Sequence, residues 1–105
     1  MGTISHNAIL VTDSDEEWLK RAASKAAEIG CIVLGPSDAG TNAYRTVVVC
    51  PDGSKEGWKS SDDGDLRREA FVKWLHAERH YAEWAEVRYG ELGYAVLRSD
   101  EDEPL

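Results

Sequence analysis

Three aspartates, Asp62, Asp63 and Asp65, close a glycine-rich stretch, "PDGSKEGWKSSDDGD" (residues 51–65). Closely spaced carboxylates suit a hard divalent cation, which takes several converging oxygens. A small metal-dependent hydrolase centred on them, with His76 as a further member, is the enzyme alternative here. No complete ligand spacing accompanies the cluster, however. A glycine-rich segment ahead of a helix can also cradle phosphate, since its amides and the helix dipole attract anions. These aspartates would repel phosphate, and no Gly-Lys-Ser/Thr follows. Self-capping is the stronger reading: Asp65, Asp62 or Ser61 accepts from the free amides of the next helix, and the other carboxylates interact with its dipole, each worth under ~1 kcal/mol. Trp58 then folds back as the loop's apolar anchor over the core edge. Exposed, it would mark a partner site.

Other candidate chemistry is thinner. His76 and His80 stand four apart in "HAERH", a spacing that puts two imidazoles on one helix face. A zinc protease needs its glutamate directly after the first histidine, and Glu78 is one place too late. No third ligand is identifiable, so a solvated helix face is the better reading. Cys31 and Cys50 sit beside aliphatic residues, as small buried thiols do. The serines lie in no nucleophile elbow. With 20 acidic residues in the chain, paired carboxylates decide nothing without geometry. No cofactor fingerprint is present, and none is expected to bind.

The elements that must position these residues follow from periodicity. "HNAILVT" (residues 6–12) is an apolar run suited to a strand buried on both faces. Ser14 and Glu17 have capping-box spacing and open a helix from about Asp15 to Ile29, with Gly30 as its stop. Its apolar stripe is Leu19, Ala22, Ala23, Ala26 and Ile29. That small stripe must lie close against a sheet. "CIVL" and "AYRTVVVC" read as strands, separated by a loop rich in Gly, Pro, Ser and Asp. "DLRREAFVKWLHAE" is a second amphipathic helix, with Leu66, Ala70, Phe71, Trp74, Leu75 and Ala77 on one side. After His80, propensity alone would continue the helix. The alternation in "WAEVRY" and a "GELG" turn before "YAVLR" favour strand, turn, strand instead. The order is then β-α-β-β-α-β with a fifth strand possible, the ferredoxin-like split βαβ of an α+β domain. Residues 1–99 form that single domain, and the acidic tail, residues 100–105, is expected to be disordered.

Length and charge bound the function. A chain of 105 residues fits one domain that buries roughly 65% of its unfolded surface, enough to fold without metal or disulfides. No run approaches a membrane span and no signal-peptide pattern opens the chain, so a cytoplasmic location is expected. The formal charge is −8, half of it on Asp100-Glu101-Asp102-Glu103. An acidic body repels nucleic acid and anionic membranes, and the third strand lacks the basic and aromatic fingerprint of an RNA-binding sheet.

"HNAILVT", "PDGSKEGW", the "GD…FVKWL" pair and "WAEVRYG" together resemble small acidic proteins of bacteriophages and prophages. The resemblance covers about half the chain and carries no signature of an activity. It implies an accessory protein that binds a host protein, one form of which is anti-defence by acidic mimicry of nucleic acid. Four tryptophans and four tyrosines exceed what an alanine-rich core needs. Trp58, Tyr44, Trp84 and Tyr94 are the expected exposed anchors for a partner protein. A self-associating module, dimerising through an open sheet face or edge strand, is the third class.

Overall fold

The computed structural model describes residues 3–102. Strand β1 (Ser5–Asp13) is followed by helix α1 (Glu16–Ile29), strand β2 (Val33–Leu34), strand β3 (Arg45–Val49), helix α2 (Lys59–Glu78) and strands β4 (Glu83–Gly90) and β5 (Ala95–Ser99). The strands form one sheet in the order β2-β3-β1-β4-β5, and every pairing is antiparallel. This is the split βαβ arrangement with a hairpin strand added at one edge. Residues 80–99 are the strand, turn, strand that the alternation favours.

Local chemistry explains where α1 begins and ends. The cap is Asp15 and not Ser14: Asp15 sits in extended backbone, and its carboxylate accepts the Trp18 amide at 3.0 Å. Gly30, at φ 108, then takes the left-handed conformation that lets its amide close on the Ala26 and Ala27 carbonyls. Trp18, Leu19, Ala22 and Ala26 are buried, so α1 lies against the sheet through small side chains, as expected.

Helix α2 departs from expectation. It starts at Lys59, directly after Gly57 at φ 82, and its N-cap is Trp58 with no side-chain hydrogen bond. Asp62, Asp63 and Asp65 therefore lie inside the helix, and neither they nor Ser61 caps it. Its buried stripe is Ser61, Gly64, Arg68, Phe71, Val72 and Leu75. Leu66, Ala70 and Ala77 face water. Only the second half of α2 packs as an amphipathic helix normally does.

Both helices cover one face of the sheet. Ile9, Val11, Val47, Val49 and Trp84 point up from the strands to meet Trp18, Leu19, Ala22, Ala26, Phe71, Val72 and Leu75. Trp84 is thus a core residue at 6% exposure and not a surface anchor. It is held by register opposite Val11 and by the His76 ring, edge-on at 5.2 Å. Asp100 and Asp102 of the acidic tail also meet the sheet. The Trp84 amide donates to Asp100 Oδ1 at 3.0 Å, and the Ser99 amide donates to Asp102 Oδ2 at 2.8 Å. Residues 103–105 lie outside the described residues. No described helix is long and apolar enough to cross a membrane.

Candidate interaction face

With period two along each strand, the side chains not under the helices share the opposite face. Register groups them into rows across the sheet. One row is Leu34, Val48, Leu10, Ala85 and Ser99. The next is Ala8, Val87 and Val96; beyond the ends of β2 and β3 lie Ile32 and Cys50, where the Cys50 amide donates to the Ile32 carbonyl at 2.8 Å and both residues also line a cleft with Arg67 and Arg68 of α2. Thr46, Thr12 and Glu83 flank them at one end, with the two threonine hydroxyls 2.8 Å apart. His6 and Tyr89 flank them at the other, with ring centroids 5.2 Å apart. On this face of β1 Ala8 is buried at 6%, and Leu10 is open. Leu10 is 40% exposed, Leu34 64% and Val96 67%.

Among the described strand residues of these rows and their flanks, Glu83 is the only Asp, Glu, Lys or Arg, although 30% of the chain is charged. The apolar members of these rows, Leu34, Val48, Leu10 and Ala85 in one and Ala8, Val87 and Val96 in the other, form a patch of the kind that marks an interaction surface on a monomer.

The charge of β4 goes to the covered side. Glu86 lies opposite Ile9 under α2 at 2% exposure. Its Oε1 accepts from Arg98 Nε at 2.6 Å, and its Oε2 stands 3.3 Å from Arg68 Nε, near enough for attraction but not aligned as a hydrogen bond. Arg68 also donates to Asp65 Oδ1 at 2.5 Å and lies 3.8 Å from Asp52. Gly64 makes room for this network, because a Cβ there would strike the Asp52 carboxylate. Burial pushes the Asp52 carboxyl up, but hydrogen bonds from Ser54 and the charges of Arg68 and Arg67 outweigh it and hold the group below its ordinary value. Beside this network opens a cleft of about 460 Å³ lined by Asn7, Glu56, Asp65, Glu69, Arg88 and Leu97 among others. Among its charges Glu86 pairs with Arg98, Asp65 with Arg68 and Glu69 with Lys73, while Arg88 Nε is buried without a hydrogen-bond partner.

The candidate metal residues separate. Asp63 pairs with Lys59 at 2.9 Å and Asp65 with Arg68, while Asp62 stays exposed on the first turn. His76 packs on Trp84 and is not with them. His80 is not on the helix face either, since α2 ends at Glu78 and Arg79 turns left-handed at φ 51. It stacks on Trp18 at 4.1 Å and meets Asp13 Oδ2 at 2.5 Å. Asp13, Asp15 and His80 thereby come close enough to share an ion. Each is already committed, Asp15 to the α1 cap and Asp13 to both His80 and the Asp15 amide. The sequence signal for this dyad was the histidine just past the helix; its aspartate partner came from the far end of β1.

Burial pushes the Cys31 thiol up despite Arg67 and Arg68 nearby, as suits a structural thiol. Of the expected aromatic anchors, Tyr44, Trp58 and Tyr94 are exposed. Trp58, at 57%, is not packed over the core; Lys55 Nζ lies 5.2 Å from its ring. Trp58 and Tyr94 belong to the end of the sheet where β1 begins, and Tyr44 to the opposite end. They form no single aromatic patch. The residues that sequence reasoning missed are Leu10, Leu34, Val48 and Val87, whose signal was apolar alternation read without knowing which side the helices take.

No protein-family model matches this chain, and no curated protein or solved structure matches it.

Proposed function

We propose that this chain is a non-enzymatic protein-interaction module that binds through the uncovered face of its sheet. One observation carries the reading: the uncovered face is largely apolar from Leu34 across Val48, Leu10 and Ala85 and from Ala8 to Val96, with Glu83 as the charged residue among its described strand positions, on a chain of which 30% is charged. Covering such a face removes apolar surface from water at about 25 cal/mol per Å² and strands almost no charge. The resemblance to phage and prophage proteins supports a protein partner, whether a host protein or a copy of the chain itself.

A charge at the centre of the face tests this. Leu10→Lys is expected to preserve the circular dichroism spectrum and to abolish association, measured by pull-down with the tagged chain and by light scattering. Association at parental strength in the folded variant would overturn the reading.

A further inference from the structure

We infer that the partner seated on the uncovered face is a second copy of this chain, placed by a two-fold axis running along β1. The inference rests on the reading of that face as an interaction surface. Area is the first argument. Five strands spaced about 4.8 Å apart and side-chain rows about 6.8 Å apart give a face of roughly 24 by 20 Å. Pairing two such faces covers about 1,000 Å² in total, the lower bound for a specific interface. The whole face is needed to reach it, and a second copy offers a face of equal size.

Shape is the second argument. Along the central row, side chains shrink from Leu34 and Val48 on one side of Leu10 to Ala85 and Ser99 on the other. A two-fold axis along β1 exchanges the two sides. The partner's Leu34 then sits over Ser99, the partner's Val48 sits over Ala85, and Leu10 meets its own copy on the axis. Off the axis, large faces small in this row, as a packed interface requires.

Charge is the third argument. The same axis sets Glu83 over the partner's Thr46 and keeps the two Glu83 carboxylates on opposite sides of the assembly. An axis across the strands would instead press Glu83 onto Val87, stranding a charge on an apolar contact. Apart from Glu83, the charged strand residues named here lie off this face, and each copy carries a net charge of −8. Its repulsion is screened by salt, so association tightens as ionic strength rises. Because β1 runs the same way in both copies, their Trp58 and Tyr94 ends lie side by side, free of the interface.

Sedimentation velocity and light scattering on the full chain test this. The expected mass is twice 11.6 kDa, with the dimer favoured by added salt. Leu10→Lys yields a folded monomer; Leu34→Lys, at the more exposed edge, serves if Leu10→Lys does not fold. Ala85→Val weakens the dimer and adding Val48→Ala restores it, although Leu10 separates these two positions within one copy. In a Cys31→Ser/Cys50→Ser background, Leu10→Cys cross-links to its own copy on oxidation. A dimer insensitive to Leu10→Lys and Leu34→Lys pairs elsewhere and overturns the inference. A monomer at every concentration overturns it too. If that monomer captures another protein and Leu10→Lys abolishes the capture, the face remains an interaction surface. If Leu10→Lys changes no association at all, both readings fall.

Discussion

Along β4, next to a covered face that otherwise holds the apolar core, the two faces of this sheet have exchanged their customary contents. Under the helices, around β4, lie Glu86, Arg68 and Arg98 in a buried charge network. On the side open to water lie Leu10, Val48, Val87 and Val96. Glu86 and Val87 are neighbours in the chain and sit on opposite faces. Ordinary patterning would turn the glutamate outward and the valine inward. The covered face tolerates its charge because two guanidinium groups flank the carboxylate, and a desolvated charge survives only when so paired. The open face has no such internal compensation. Apolar surface facing water is stabilised by being covered, so one face is complete within the chain and the other is the face that the proposed function assigns to a partner.

The largest test of this contrast is Glu86→Ala, which leaves Arg68 and Arg98 facing each other without their shared carboxylate. A loss of about 3 to 5 kcal/mol in urea or thermal denaturation is expected. Val87→Thr on the open face is expected to stay within about 1 kcal/mol. Equal losses at both positions would mean that the network contributes nothing particular to the fold.

A smaller effect concerns Asp52, at the rim of the same network. Its folded-state carboxyl lies below the ordinary value, so its contribution to stability is complete above about pH 4, the unfolded value, and is lost as pH falls through the folded value. Asp52→Asn is therefore expected to be less stable than the parent at pH 7, with the gap closing as pH drops from about 5 to below 3. Denaturation series at pH 7 and pH 3 check this. A gap of unchanged size at pH 3 would assign the loss to shape and not to charge.

The smallest effect is expected at Trp58. Its ring is mostly exposed, so Trp58→Ala should leave stability within about 0.5 kcal/mol of the parent. A loss of several kcal/mol in a melt would show that the residue 51–65 loop is pinned to the core by that ring. Unchanged stability with altered binding to another protein would make the Trp58 end a second contact surface beside the sheet face.

Much of the fold was written locally. An aspartate before two glutamates and a glycine after Ile29 bound α1, because caps depend on a few neighbouring groups. The alternation of "WAEVRY" and the "GELG" turn specified the β4–β5 hairpin for the same reason. The start of α2 was less legible. "KSSDDGD" has the composition of a loop, and its buried positions, Ser61, Gly64 and Arg68, look like solvent positions. They are buried because Asp52 and Glu86, distant in sequence, come to meet them.

The candidate site shows the same division. Period two along β1, β3 and β4 states that each strand has two faces and sorts the residues between them. It does not state which face the helices take, and inverting that choice moves every side chain from core to surface. Trp84 was expected outside and is inside because that choice places it opposite Val11 beneath α2. The sequence by itself determined the strands, the helices and their order. Only the tertiary structure, by bringing Arg68 and Arg98 from separate elements around Glu86, decided that the charge of β4 would be buried and its valine left facing outward.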